Sequence, residues 1–252
     1  MDIPFEPVIF GFQLNIHLLF EYLAFFIGFR YYVYLRKNTK DVISTNNRLS
    51  IIIGAVFGAF LGSRFFGYLE NPIKLSDFEM FLDLLNAKTI MGGLFGGLLG
   101  VELSKKIIGE QQSSGDLFTY PLILAIGIGR IGCLLYGIKE FTFGVKTDFI
   151  LGIDLGDGIY RHPLALYEII FLVALWTFLK IREAQFKIHE GLLFRVFMIL
   201  YFSFRFFIEF LKPNEFLIFG ISSIQYLCIL CLLYYSKTIM SFISKMDVPE
   251  FR

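Results

Sequence analysis

The sequence predicts an all-α integral membrane protein with seven transmembrane helices. Of the 252 residues, 56% are hydrophobic, and the mean hydropathy of +0.66 exceeds the balance of a typical soluble domain. Seven segments approach the roughly 20 mostly apolar residues with which a helix crosses a bilayer; they are 14–35, 51–69, 89–108, 118–136, 163–179, 192–211 and 216–235. No soluble domain interrupts them, so residues 1–252 are expected to form a single membrane domain.

The individual segments carry further signals. Segment 14–35 is followed by the basic residues Arg36 and Lys37. Segment 89–108 contains MGGLFGGLLG, whose glycines allow a neighbouring helix, or a bound ligand, to approach closely. Segment 163–179 begins at Pro163, as proline favours a helix start, so His162 before it is expected to cap the helix or anchor the preceding loop. Segment 118–136 encloses Arg130, and segment 192–211 encloses Arg205 near its end.

The distribution of basic residues predicts the orientation of these helices. One set of connections and the C-terminal tail together hold twelve Lys and Arg residues, and the other set holds six. The richer side is expected to be cytoplasmic, which places the N-terminus outside and the C-terminus in the cytoplasm. Two outer connections are long, at about 70–88 and 139–162. The second contains GIDLGDG, a cluster of turn-forming residues that predicts a small periplasmic cap loop.

Charge and cysteine content exclude several classes of function. The net charge is only +1, which is too small to attract a polyanion, so no nucleic-acid partner is expected. The three cysteines, Cys133, Cys228 and Cys231, all lie in apolar segments. They are interpreted as helix residues rather than as a metal or redox motif, and no metal is expected.

Arg130 and Arg205 point to the function, because each lies inside an apolar segment. A charged side chain at membrane depth costs at least ~2.5–3.5 kcal/mol and usually faces a polar cavity. Arg205 and Glu209 are four residues apart and share a helix face, which fits a packing pair as well as a functional one. Arg130 has no acid three or four residues away in its own helix. We therefore expect Arg130 to meet an external anion such as a lipid phosphate, which a guanidinium binds with two parallel hydrogen bonds.

Other ionisable residues in the apolar segments suggest additional roles. His17 and Glu21 are four residues apart, which fits either a packing hydrogen bond or a general base held by a carboxylate. Arg64 lies near the end of the second segment. Its alternatives are a third contact with a phosphate and snorkelling toward lipid headgroups.

Four motifs, which follow one another along residues 28–235, are the basis of a resemblance to a known family. They are a glycine-rich stretch ending in Gly62-Ser63-Arg64, Gly129-Arg130-Ile131-Gly132 followed by Gly144, Arg161-His162-Pro163 with Leu166-Tyr167-Glu168, and Arg205-Phe206-Phe207-Ile208-Glu209 followed by Lys212-Pro213-Asn214. With these motifs the chain resembles the bacterial phosphatidylglycerol–prolipoprotein diacylglyceryl transferase family.

The resemblance implies a multi-pass enzyme of the bacterial inner membrane. It would move diacylglyceryl from phosphatidylglycerol to the lipobox cysteine thiol of a prolipoprotein and release glycerol 1-phosphate, without a cofactor. The expected catalytic residues are Arg130 and Arg205 on the lipid phosphate, Glu209 orienting Arg205, and His17 with Glu21 as the base. The expected substrate-binding residues are Arg64, Gly129, Gly132, Gly144, His162, Tyr167 and Glu168.

The sequence departs from the family pattern at the groups thought to activate the thiol. Met91 stands where the family has the histidine of its SFHGG motif, and Cys133 stands where it has an asparagine. The family acid that follows aligns with Ile138, with Glu140 close by. Two alternatives are therefore kept: a phospholipid-dependent transferase with another acceptor, and a non-catalytic protein that binds or transports phospholipid.

Overall fold

The computed structural model describes residues 3–39, 41–70, 87–186, 189–214 and 217–246. Its helices are α1 Ile16–Asn38, α2 Thr45–Glu70, α3 Ile90–Ile108, α4 Asp116–Tyr136, α5 Leu164–Ile181, α6 Glu183–Phe186, α7 Leu192–Ile208, α8 Ser223–Tyr234 and α9 Ser236–Met246. Short 3-10 turns at Gly137–Lys139 and Glu209–Leu211 extend α4 and α7. The strands are β1 Val8–Ile9 and β2 Phe12–Gln13, which pair antiparallel, and β3 Ile153–Asp154 and β4 Tyr160–Arg161, which do the same.

The helices fit an all-α membrane protein. Within the described residues, α1, α2, α4 with its 3-10 turn, and α5 are long and apolar enough to cross a membrane. Helices α8 and α9 meet at a bend of 64° and count as a fifth span if they form one broken helix. Helices α3 and α7 lie in predicted segments, but α3 carries three charged residues and α7 has only 17 residues. The structure thus gives four or five candidate spans, and seven remains a prediction.

The two predicted outer connections differ in what the structure describes. The connection at about 70–88 falls almost wholly outside the described residues. In the connection at 139–162, β3 and β4 form a two-stranded sheet, and Lys146 bridges to Arg161 at its end. Asp154 accepts hydrogen bonds from the backbone N–H groups of Gly156 and Gly158, which shapes the turn between the strands. The Arg161 guanidinium, 2.8 Å from the Asp157 carboxylate, holds the pKa of Asp157 below its usual range.

The chain divides into two compact units, and the prediction of a single membrane domain stays a prediction. The first unit comprises Met1–Val42, Ser113–Phe194 and Phe210–Pro213. In it α1 packs on α4 and α4 packs on α5. Tyr32 stacks on Phe118 with ring centroids 4.6 Å apart. A Cβ atom at Gly132 would lie 2.6 Å from the Cβ atom of Phe20, so this glycine sets how closely α4 approaches α1.

The second unit comprises Ile43–Gln112, Arg195–Glu209 and Asn214–Arg252, and its main contact joins α2 to α3 through glycines. Gly58 lies against the backbone of Gly96, and Gly62 against that of Gly92. A Cβ atom at any of these four positions would overlap a carbonyl oxygen of the other helix. The MGGLFGGLLG motif therefore serves helix packing in this unit, as small residues do between helices in lipid.

This contact predicts that one added methyl group will destabilise the second unit. In Gly96→Ala the new Cβ atom meets backbone on α2 that no side-chain rotation can move, so a loss of about 1–3 kcal/mol is expected. Gly93→Ala is the matched control, because its Cβ atom would have its nearest neighbours at 3.8 Å. Thermal unfolding in detergent should show a lower midpoint for Gly96→Ala alone. Equal unfolding midpoints for Gly96→Ala and Gly93→Ala would mean that the close contact between α2 and α3 does not contribute to stability.

Candidate functional site

Arg130 on α4 is paired with Glu168 on α5. The Arg130 Nε atom lies 2.9 Å from the Glu168 Oε2 atom, and both side chains are buried. Arg130 therefore has a protein carboxylate as partner although its own helix offers none, and the expected contact with an external anion stays a prediction. Its partner comes from the neighbouring helix, which spacing within one helix does not reveal. The pair satisfies the requirement that a buried charge meet an opposite charge.

The start of α5 places Glu168 beside Arg130. The backbone N–H of His162 donates to Val145, and the His162 carbonyl accepts from the N–H of Gly144. A Cβ atom at Gly144 would lie 2.6 Å from the carbonyl oxygen of His162, so only glycine fits there. The His162 Nδ1 atom is 3.0 Å from the Tyr167 hydroxyl, one residue before Glu168. Three residues predicted to bind substrate thus lie where they anchor the cap loop to α5.

The residues next to Arg130 on α4 face different surroundings. The Arg130 Nη1 atom donates to the Cys133 sulfur at 3.8 Å, so the residue in the family's asparagine position touches the guanidinium. At Gly129 an added Cβ atom would meet nothing within 4 Å. Gly132 instead faces α1 and serves packing. Gly129 therefore leaves open space near Arg130, whereas Gly132 does not.

Arg205 and Glu209 form the pair that their spacing predicts. The Arg205 Nη2 atom is 3.1 Å from the Glu209 Oε2 atom, and both residues are buried. The Ser222 hydroxyl lies 3.5 Å from the Glu209 Oε1 atom. Ser222 also caps α8 in a reciprocal capping box with Gln225, and the Gln225 side chain donates to the Phe206 carbonyl. This network joins the end of α7 to the start of α8, so the pair has a structural role.

His17 lies in the first turn of α1 and contacts Glu140. The His17 Nδ1 atom is 3.8 Å from the Glu140 Oε2 atom, and the ring stacks on Tyr136 with centroids 5.8 Å apart. Tyr136 ends α4 and Glu140 follows its 3-10 turn, so both contacts place His17 beside the end of α4. The structure thus adds Glu140 as a partner of His17, and the pairing of His17 with Glu21 stays a prediction. The sequence signal for Glu140 was its position close to the family acid.

Three further positions bear on the predicted chemistry. The Arg64 Nη1 atom donates to the Ala87 carbonyl at 3.1 Å, and its guanidinium lies 5.5 Å from the centre of the Phe60 ring. Arg64 thus holds the chain just before α3. Met91, in the position of the family histidine, is fully buried and offers no ionisable group. Lys212, after the Arg205 motif, lies over the Phe141 ring, and burial lowers its pKa to about 7.

Comparison with known proteins identifies the family. The prolipoprotein diacylglyceryl transferase family profile matches residues 7–240. Phosphatidylglycerol–prolipoprotein diacylglyceryl transferase 2 of Clostridium perfringens is 29% identical over 191 residues, which cover 72% of this chain and 73% of the relative. The corresponding enzyme of Ehrlichia ruminantium is 31% identical over 213 residues, covering 77% and 78%. That of Wolbachia pipientis is 28% identical over 235 residues, covering 84% and 83%. Since the profile spans almost the whole chain, the protein belongs to the prolipoprotein diacylglyceryl transferase family.

Proposed function

We propose that this protein is a diacylglyceryl transferase of the bacterial inner membrane. The donor is phosphatidylglycerol, and the acceptor is the lipobox cysteine of a prolipoprotein. The thiolate sulfur forms a bond to the diacylglyceryl carbon, the bond from that carbon to the phosphate oxygen breaks, and glycerol 1-phosphate leaves. The observation that carries this proposal is the buried Arg130–Glu168 pair, which lies within two of the family's motifs.

Arg130 is proposed to bind the lipid phosphate and stabilise it as it leaves. A guanidinium has five N–H donors, and a single carboxylate oxygen cannot accept hydrogen bonds from all of them. One guanidinium can therefore contact a carboxylate and a phosphate at the same time. Fixed donors aimed at a group that gains charge are worth most in a site shielded from water. Glu168 is proposed to orient Arg130. Because Glu168 neutralises Arg130, burial alone no longer demands a phosphate, and support now comes from the family's chemistry and from the open space beside Gly129.

Arg205, held by Glu209, is proposed as a phosphate ligand because it stands in one of the family's motifs. Arg64 is proposed as a further substrate contact, although its hydrogen bond to Ala87 already occupies one donor atom. For Gly144, His162 and Tyr167, we propose a positioning role through the start of α5, because they contact each other and the cap loop. Gly132 supports the same site by packing α4 on α1.

His17 is proposed as the base that takes the proton of the acceptor thiol. The thiolate is the nucleophile in such a reaction, so a base nearby raises the rate. Met91 cannot supply this function. The Glu140 carboxylate, 3.8 Å from the ring, is proposed to orient the imidazole.

The seven-span topology completes the proposal. It places the N-terminus outside and the C-terminus in the cytoplasm, on the strength of the twelve basic residues on one side against six on the other. α3 and α7 would supply two spans, and α8 with α9 the last. His17, at the first turn of α1, would then lie at the outer surface, where prolipoproteins emerge.

We expect purified protein to transfer labelled diacylglyceryl from phosphatidylglycerol to a lipobox peptide, and Arg130→Ala to lower this rate by about 10²–10³-fold, the cost of removing one donor to a developing charge. Arg182→Ala is the matched control, because Arg182 is exposed and pairs with Gln185. Mass spectrometry of peptide and lipid products separates the alternatives. Released glycerol 1-phosphate without a modified peptide would indicate another acceptor. Bound phospholipid with no turnover would indicate a non-catalytic binding protein.

Replacing Glu168 tests how Arg130 is held. Glu168→Gln leaves a buried guanidinium without its carboxylate, for which a stability loss of about 3–5 kcal/mol is expected. Asp157→Asn removes the carboxylate of a more exposed pair and should cost much less, because water screens that pair. If Arg130 binds phosphate, phosphatidylglycerol in the micelles will raise the unfolding midpoint of Glu168→Gln more than diacylglycerol, which has no phosphate, does. Equal effects of both lipids would argue against a phosphate at Arg130.

The base assignment predicts a specific pH dependence. His17→Gln should lower the transfer rate at neutral pH by about 10²–10⁴-fold, the usual contribution of a general base, and Glu140→Gln should lower it less. The deficit should shrink above about pH 8.5, where the acceptor thiol ionises without help. A deficit that stays constant with pH would mean that His17 only positions groups. A larger loss in Glu21→Gln than in Glu140→Gln would mean that Glu21, and not Glu140, is the carboxylate that assists His17.

A further inference from the structure

Two tight turns in different parts of the chain share a sequence and a backbone conformation. The first is Ile9-Phe10-Gly11, where Phe10 has φ 50° and Gly11 has φ 81°. The second is Ile218-Phe219-Gly220, where Phe219 has φ 51° and Gly220 has φ 79°. Within the described part of the chain, Phe10 and Phe219 are the only residues other than glycine with positive φ. Each turn closes an antiparallel pairing, Ile9 with Phe12 and Ile218 with Ile221.

Phenylalanine is unusual in this conformation. Two-residue hairpin turns with positive φ at both central residues favour Asn-Gly or Asp-Gly. A bulky side chain in the left-handed region crowds its own carbonyl and is an outlier. The same unfavourable residue therefore stands at the same place in both turns. Local backbone preference does not explain this, so the explanation lies in what the phenyl rings contact.

Both rings are almost fully exposed with respect to the part of the chain that the structure describes. Phe10 is 96% exposed and Phe219 is 98% exposed. The flanking side chains add to the apolar surface, since Val8 and Phe12 beside the first turn and Ile218 beside the second are each more than half exposed. No charged residue lies within 8–14 or 217–222. Each turn thus presents an uncharged apolar tip with an aromatic ring at its end.

Each turn directly precedes a helix assigned to the membrane. Strand β2 ends at Gln13, and α1, a candidate span, begins at Ile16. Ile221 is followed by α8, the first half of the bent candidate span, at Ser223. Both tips therefore lie where a helix meets the membrane surface, the level at which aromatic residues gather in membrane proteins. One tip belongs to each of the two compact units.

We propose that the two Phe-Gly turns are lipid anchors, which insert the rings of Phe10 and Phe219 into the interfacial layer of the bilayer. Burial of the rings among lipid headgroups and upper acyl chains offsets the backbone strain and the exposure to water. The surface fits lipid better than a protein partner because it has no charged group to direct a specific partner. Each unit is then held at the surface by its own tip. The first anchor leads within seven residues to His17, whose depth it helps to set.

Single-tryptophan variants in phospholipid vesicles test this proposal without any enzymatic readout. The chain has one tryptophan, so Trp176→Phe gives a silent background in which Phe10→Trp or Phe219→Trp becomes the only reporter. We expect both reporters to emit at blue-shifted wavelengths and to be quenched by lipids brominated near the headgroup end of the acyl chain. Gln111→Trp, at an exposed position in the connection between α3 and α4, is the control and should be quenched by aqueous iodide instead.

Two outcomes would overturn the proposal. Quenching of the turn reporters by iodide to the extent of Gln111→Trp would place the tips in water. Protection from both quenchers would place them against protein, such as a second copy of the chain. Should a tryptophan variant fail to fold, nitroxide labels on Phe10→Cys and Phe219→Cys give the same measurement through oxygen accessibility. Labelling is selective because the three native cysteines are buried.

Discussion

The ion pair between Arg130 and Glu168 is the interaction on which the first unit depends. Two charges removed from water are tolerated only when they face each other closely, and loss of either leaves the other uncompensated. The pair therefore fixes α5 in rotation and height against α4 at one point. The same helix start holds His162, whose backbone is hydrogen-bonded to Gly144 and Val145 of the cap loop. The position of the loop thus follows from the requirement to neutralise one arginine.

The second unit meets the same requirement within a single helix end. Arg205 pairs with Glu209 one turn further along the chain. Neutralising Arg205 therefore requires no carboxylate from a neighbouring helix. The other carboxylate oxygen of Glu209 accepts a hydrogen bond from Ser222 at the start of the neighbouring helix α8. The second unit also contains a helix contact without charged groups. In it α2 and α3 pack glycine against backbone. Close contact between those helices needs no polar group, which leaves Met91 to pack as an apolar residue.

How much the sequence could predict depended on whether a contact stays within one element. The four helices that qualify as spans all coincide with predicted segments, and Arg205 pairs with Glu209 because the geometry of one helix determines it. Arg130 with Glu168 and His17 with Glu140 each join different elements. Their pairing requires knowledge of which helices are neighbours, which residue spacing does not contain. The Phe-Gly turns escaped prediction for another reason: the usual signal for such a turn is Asn or Asp before the glycine.

The neutrality of the Arg130–Glu168 pair also bears on the choice between a transferase and a passive lipid-binding protein. A phosphodiester carries one negative charge, so binding it to a neutral pair leaves a net negative charge in a poorly solvated site. A protein selected only to hold phosphatidylglycerol would gain affinity by losing Glu168. In the transfer reaction, however, the leaving glycerol phosphate acquires a second negative charge, and an oriented guanidinium is worth more at that point than in the ground state. Interactions that strengthen toward the transition state are the ones that raise the rate. A carboxylate that weakens ground-state binding while fixing the arginine therefore favours catalysis over storage or transport of the lipid.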